Sequence, residues 1–418
     1  MTEDYQLSKV SILIQQKKYT EAEKVLKDLL AADANNIYLL SLLAEVNLQQ
    51  DRFDVARSLI DNAIGLSPDV PHLFYIKSRI AIQQDEYDEA EKYIMQAIEF
   101  DPYDADYFAF LANIKLARKQ YEVALEFADK ALEIDAENLL GLNTRSTALL
   151  KLNKSEESFD TIEGALREDP NNAYTHANYG WGLLEKGENK KALEHFNEAL
   201  KSDPNFAYAQ SGMLEAIKAT NPVYRLYLRY SFWMGNLTSK YQWGVVIGFY
   251  LGFRALRSLA DQNEALQPYL NPLLILLALF AYSTWVMYPI GNLFLRFNKY
   301  GQLLLTKKQR QSSNFVAAGL GLFAVGLTLY FILPDERFLS VAVFGCAMML
   351  PCSVMFSPTK YKYSLLIYSI VLAVVGLAAI GLTFVTGELF NILSIFFLFG
   401  FIVFQWVANF MIIKQSNY

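Results

Sequence analysis

One register of residues returns every 34 positions through the first half of this 418-residue chain. Tyr19, Phe53, Tyr87, Tyr121, Ser155 and Asn189 form one series, and Ala22, Ala56, Ala90, Ala124, Ser158 and Ala192 follow it at a constant offset. Leu29, Ala63, Ala97, Ala131, Ala165 and Ala199 keep the same step. So do Ala44, Ser78, Ala112, Ser146 and Gly180, and Pro68, Pro102, Pro170 and Pro204, with Ala136 filling the gap. Independent series in one phase predict a unit of two antiparallel helices. Small residues let the helix backbones approach, and proline stops the second helix. A single pair cannot bury its apolar face, so the pairs must stack.

These residues resemble the tetratricopeptide repeat. Units are read at 3–36, 37–70, 71–104, 105–138, 139–172 and 173–206, with a closing helix at about 207–219, giving a solenoid over 3–219. The match is loosest in the first unit, with Val10 and Leu29 at small-residue positions, and in the fifth, with Ser155 and Ser158. The resemblance implies a superhelix whose concave groove is lined by the first helix of each pair. It also implies a protein partner, a peptide or a helix, held in that groove. Repeat positions two, five and nine normally face it. The partner-binding residues expected on that basis are Tyr38, Glu45, Tyr75, Arg79, Asn113, Asn143 and Trp181. The alternative is that they pack between units, and for Trp181 on the closing helix. Repeats that grip the carboxyl-terminal tails of heat-shock chaperones use Lys and Asn at fixed groove positions. Here Ser41, Glu45, Tyr75 and Arg79 stand there, against that ligand.

The chain changes character near residue 220. It is 53% hydrophobic and 19% charged overall. Residues 221–418 carry 14 Lys and Arg but only 5 Asp and Glu, leaving 23 basic and 38 acidic residues before them. An acidic first half gives no basic surface for nucleic acid. Asn221-Pro222 signals a helix start. It opens a linker helix over 221–240 in which Arg225, Arg229 and Trp233 suit a headgroup region. A helix simply packed on the cap is the alternative.

A six-span transmembrane domain is read over 241–413, with apolar segments near 241–259, 270–295, 313–333, 338–357, 364–386 and 389–413. Arg254 and Arg257 make the first of these the least secure. The loop charges fit six spans with both termini cytosolic. One side collects Arg225, Arg229, Lys240, Arg296, Lys299, Lys307, Lys308, Arg310, Lys360, Lys362 and Lys414, and the other collects Asp261, Glu264, Asp335, Glu336 and Glu388. Thr306 to Gln309 has capping-box form, and Pro289 is placed to kink the second span. Gly244, Gly248 and Gly252 are expected to be a helix-packing stripe, within the chain or between copies. The first twenty residues include Glu3, Asp4, Lys9, Lys17 and Lys18 and show no secretory signal. An integral protein of a bacterial plasma (inner) membrane is expected.

Chemistry is sparse. His72, His176 and His195 all lie in the repeats, and Cys346 and Cys352 both lie in an apolar run. No metalloprotease, phosphate-loop or dinucleotide motif occurs, and no Asp or Glu sits in mid-span. No cofactor, metal or enzymatic activity is expected. Some multispan glycosyltransferases also carry these repeats, but their external-loop acidic motif has no counterpart beyond Asp261 and Glu264. Gln405 and Asn409, four apart, suit interhelical hydrogen bonding. The fold class expected is all-α, a repeat solenoid followed by a six-helix transmembrane bundle. The function expected is a membrane-anchored scaffold for cytosolic partner proteins, with a further membrane protein or a second copy as additional candidate neighbours. The alternative is a regulatory or structural component of a transporter or channel whose helical bundle handles a solute or lipid.

Overall fold

The computed structural model describes residues 3–296, 298, 301, 305–357 and 363–416, and among them every regular element is a helix. The six repeat pairs are α1 (Glu3–Gln15) and α2 (Tyr19–Leu30), α3 (Ile37–Leu48) and α4 (Phe53–Leu66), α5 (Pro71–Gln83) and α6 (Tyr87–Phe100), α7 (Ala105–Ala117) and α8 (Tyr121–Ile134), α9 (Leu139–Lys151) and α10 (Ser155–Glu168), and α11 (Ala173–Lys186) and α12 (Asn189–Ser202). A closing helix α13 (Ala207–Lys218) follows. Each pair begins where the 34-residue phase places it.

The repeat register acts through packing. Ala22, Ala56, Ala90, Ala124 and Ala192 are wholly buried where paired helices meet. Serine at such a position pairs its hydroxyl with the facing helix: Ser78 Oγ donates to Ala90 O at 2.6 Å. The fifth pair, with serine on both sides, closes a small network in which Ser146 Oγ reaches Ser158 O at 2.9 Å and Ser158 Oγ reaches Ser146 O at 2.8 Å. Its departure from the pattern is therefore satisfied internally. Between the helices of each pair the chain turns through a left-handed residue: Lys17, Asp51, Asp85, Lys119, Asn153 and Gly187 all have positive φ. The next N–H bonds back five residues, as in Lys18 N to Leu13 O at 2.8 Å and Gln120 N to Lys115 O at 2.9 Å. This is a Schellman-type closure of the first helix.

Two compact units divide the chain, one up to Tyr179 and one over Gly180–Ser416. In the first, charged pairs fasten neighbouring repeats. Arg52 pairs with Glu23, and Arg57 with Glu86. Lys115 pairs with Glu91 at 2.6 Å, and Arg145 with Asp129 at 2.7 Å. Glu23 is largely buried between Arg52 and Lys27, whose hydrogen bonds pull its carboxyl from 4.5 to about 2. A carboxylate held this low adds stability that is complete above pH 4.5 and is lost as pH falls through about 2. Thermal unfolding of Glu23→Gln is expected to show a loss of about 1–3 kcal/mol at pH 7. That loss should shrink between pH 4.5 and 2. A deficit that persists unchanged at pH 2 would point to packing rather than charge.

The second unit holds the last repeat's end, the closing helix and the apolar helices. After the linker helix α14 (Pro222–Asn236) come α15 (Ser239–Gln262), α16 (Gln267–Leu295), α17 (Lys307–Ile332), α18 (Arg337–Val354), α19 (Ser364–Thr386) and α20 (Ile392–Ser416). Among the described residues, six helices follow the linker helix. Three of them, α17, α18 and α19, are long and apolar enough to cross a membrane. In α16 the parts Gln267–Thr284 and Val286–Leu295 pass that test together but are bent by 61°. The break falls four residues before Pro289, whose missing N–H leaves residue 285's carbonyl without its helical partner. The apolar part Ile392–Ala408 of α20 is shorter, and α15, with Arg254, Arg257 and Asp261, does not pass. Thr306 and Gln309 form the capping box expected, with Gln309 N donating to Thr306 Oγ1 at 3.2 Å and Thr306 N to Gln309 Oε1 at 2.9 Å.

Candidate partner-binding face and membrane-type helices

On the first helices of the pairs, the expected groove residues fall into three environments. Tyr38 is 59% exposed, and its ring is open to solvent. Tyr75 is half-buried in an aromatic cluster with His72, Tyr107 and Phe110, its centroid 5.8, 5.4 and 5.3 Å from theirs. Arg79 lies 5.5 Å from the Tyr75 ring and pairs with Glu45 at 2.5 Å, one repeat earlier. Burial pushes the Tyr75 hydroxyl pKa up, against the pull of Arg79. Glu45 and Arg79 therefore neutralise one another, and the aromatic surface between them and α7 is bordered by Asp104 and Asp106. Asn113, one repeat further on, is half-buried and makes no side-chain hydrogen bond among the described residues.

Asn143 is 1% exposed. Its Nδ2 donates to Leu139 O at 2.8 Å and Thr175 Oγ1 at 2.9 Å, and its Oδ1 accepts from Asn178 at 3.1 Å. It sits between repeats and holds Asn178 in place, so it does not reach a groove ligand directly. In the second unit, Trp181 packs against Phe196, Tyr208 and Phe232, and its Nε1 donates to Tyr208 O at 3.3 Å. The closing-helix alternative describes its surroundings. Phe110 and Tyr107 complete the aromatic cluster at positions outside the two-five-nine rule; the density of aromatics in α7 is the signal that points to them.

The linker helix is tied to the end of the repeats. Asn221 caps it, accepting from Val223 N at 2.9 Å. Tyr224 and Leu228 are buried, and Arg225 Nε donates to Ala219 O at 3.1 Å. Arg229 lies over the turn at Gly187, where a Cβ would meet its Nη2 at 3.0 Å. Trp233 is exposed. Beneath this helix, Lys218 is only 2% exposed. Its Nζ pairs with Glu215 at 2.7 Å and lies 4.4 Å from the Tyr288 ring centroid of α16 and 5.5 Å from that of Tyr224. Tyr224 Oη donates to the same Glu215 at 2.7 Å. Burial, reinforced by Glu215, raises the Tyr224 pKa. A Cβ at Gly291 would meet the Tyr224 ring at 2.5 Å, so the α16 backbone lies directly on this cluster. Ile217, Leu295 and Leu305 form a buried apolar contact on the same side.

The glycine contacts differ from those expected. At Gly244, Gly248 and Gly252 nothing lies within 4 Å of where a Cβ would stand, so the stripe on α15 packs no helix of this chain among the described residues. Close packing occurs instead between α17 and α18. A Cβ at Gly345 would meet Gly319 O at 2.5 Å, and one at Gly326 would meet Ala342 N at 2.5 Å. Gln405 is half-buried, with its Nε2 unpaired, and Asn409's side chain lies outside the described residues. Cys346 and Cys352 are free thiols, and no cluster among the described residues could hold a metal ion.

Paired helices in 34-residue register, closed by a final helix, make this a tetratricopeptide-repeat protein. Residues 173–206 match the tetratricopeptide repeat family, and residues 15–97 match subunit 3 of the anaphase-promoting complex, or cyclosome. No curated protein matches the chain. Similar solved structures include YrrB, a repeat protein with an unusual peptide-binding site, at 18% identity over 44% of this chain and 96% of its own, with a TM-score of 0.31. A repeat protein from Parabacteroides merdae is similar at 17% identity over 51% of this chain and 82% of its own, with a TM-score of 0.45. The Cut9–Hcn1 hetero-tetramer is similar at 17% identity over 50% of this chain and 42% of its own, with a TM-score of 0.44.

Proposed function

We propose that the protein is a membrane-anchored scaffold whose repeats capture a cytosolic protein partner and hold it at the bilayer. The observation that carries this reading is the joining, in one chain, of a repeat solenoid with an open aromatic face to helices long and apolar enough to cross a membrane. Tyr38 and the Tyr75–Phe110 cluster form the anchor surface; Glu45 and Arg79, already paired, set its shape rather than its charge. Aromatics that a partner buries concentrate binding energy at interfaces. A peptide segment with apolar side chains and little net charge fits such a face better than an acidic tail. The loop charges favour both termini in the cytosol, the side where the repeats would meet their partner.

A photo-crosslinking amino acid at position 38 or 113 of the full-length protein in its native membrane tests this. Both positions should trap the same partner, and position 123 on α8 should not. Tyr38→Ala with Tyr75→Ala should lower capture at least tenfold, which corresponds to about 1.4 kcal/mol or more. Capture equal to that of the unchanged protein would remove the groove assignment.

A further inference from the structure

Beside the aromatic face, at the ends of α3 and α5, lies a cavity of about 170 Å³. Gln49, Asp51, Arg79, Ile82, Gln83 and Phe110 line it. Arg79 and Phe110 also belong to the aromatic face, each through the Tyr75 ring. The cavity is smaller than the roughly 300–1,000 Å³ of small-molecule sites and has room for one side chain of a bound segment.

Its charge decides which side chain. Arg79 is neutralised by Glu45. Asp51 makes no ion pair or side-chain hydrogen bond among the described residues, and neither do the amides of Gln49 and Gln83. The lining therefore carries one uncompensated charge, and it is negative. α3 ends at Leu48 and α5 at Gln83, so two helix C-termini stand here as well. Each carries about half a negative charge. An acidic side chain would meet like charge from all three. Ile82 and Phe110 supply apolar surface for an alkyl stem, and long basic side chains bury their stems while the charged head stays in polar surroundings. Position 51 also sets this repeat apart. The left-handed turn residue is Lys in the first and fourth repeats, Asn in the fifth and Gly in the sixth. Only the second and third carry Asp, and Asp85 accepts from Tyr87 Oη at 3.3 Å.

We propose that this cavity takes a Lys or Arg side chain of the partner segment, its stem on Ile82 and Phe110 and its charge at Asp51. The proposal rests on the groove reading above and adds one basic residue to an otherwise apolar segment, whose net charge stays small. A display library of random peptides, panned on the full-length protein in phosphatidylcholine nanodiscs, tests it. Selected peptides should share one Lys or Arg beside aliphatic or aromatic residues. Asp51→Asn should weaken the tightest of them at least fivefold. It should not alter binding of the norleucine analogue, which keeps the stem and loses the charge. A fresh selection on Asp51→Lys should replace the basic residue with Asp or Glu. Both variants keep the turn, since Asn153, Lys17 and Lys119 hold the same left-handed position in other repeats. Peptides that need Tyr38 and Tyr75 but share no basic position, or that bind Asp51→Asn as tightly, would overturn the cavity assignment and leave the groove reading intact. No selectable peptide, or peptides indifferent to Tyr38→Ala with Tyr75→Ala, would overturn both.

Discussion

Gly345→Leu should abolish recovery of monodisperse protein in detergent, whereas Gly248→Leu should leave recovery unchanged. At Gly345 even a methyl group would meet Gly319 O at 2.5 Å and Phe323 N at 2.6 Å. These are backbone atoms of α17, and a helix backbone cannot give way as a side chain can. Overpacking a core costs about 1–3 kcal/mol where side chains can move; with backbone on the far side the cost should lie at the top of that range or above. The two helices would have to separate along their whole contact. At Gly248 the corresponding position is open. Size-exclusion profiles of the two variants decide the matter. Equal losses would show that glycine matters here through helix propensity rather than close approach.

Lys218→Ala should be the most damaging single change in the joint between the repeats and the apolar helices. It removes the buried partner of Glu215 and leaves a carboxylate held only by the Tyr224 hydroxyl. Breaking a buried ion pair from one side costs about 3–5 kcal/mol. The ring faces of Tyr288 and Tyr224 would also lose their cation. Limited proteolysis of the full-length protein in detergent should show cleavage after Lys201 or Arg225 at much lower protease concentrations. Lys218→Met with Glu215→Gln should recover more than half of the loss, because the glutamine keeps an acceptor for Tyr224 and no charge is stranded. A double variant as unstable as the single one would mean that packing of the lysine stem, not its charge, dominates.

Much of the fold is legible in the sequence because the repeats are built on side-chain size. Alanine at positions 22, 56, 90 and 124 is required wherever two helix backbones touch, so the phase is visible. The turns at Lys17, Asp51, Asp85, Lys119, Asn153 and Gly187 keep the same step but are hidden, since backbone hydrogen bonds enforce the left-handed residue and only the last is glycine. The candidate binding face is less legible. Position within a repeat shows which way a residue points, but not whether the next repeat covers it. Asn143 is taken up by Thr175 and Asn178, and Trp181 by Phe196 and Tyr208, while Tyr38 stays open. The glycines show the same limit. A stripe every four residues on α15 is evident in one helix alone, but close approach needs a partner, and Gly319 and Gly326 find theirs at Gly345 and Ala342.

The link between the repeats and the apolar half is also a matter of packing. A change of composition marks residue 220, yet Lys218 and Tyr224 lie on opposite sides of it and share Glu215. The closing helix thus packs with the helices that follow it as well as with the last repeat.

Alkaline carbonate extraction of membranes from cells expressing the full-length protein tests the union of solenoid and membrane module most directly. The protein should remain wholly in the pellet and enter solution only with detergent, while a version ending at residue 219 should be released. Full-length protein that leaves the membrane with carbonate alone would contradict a lipid-embedded second half.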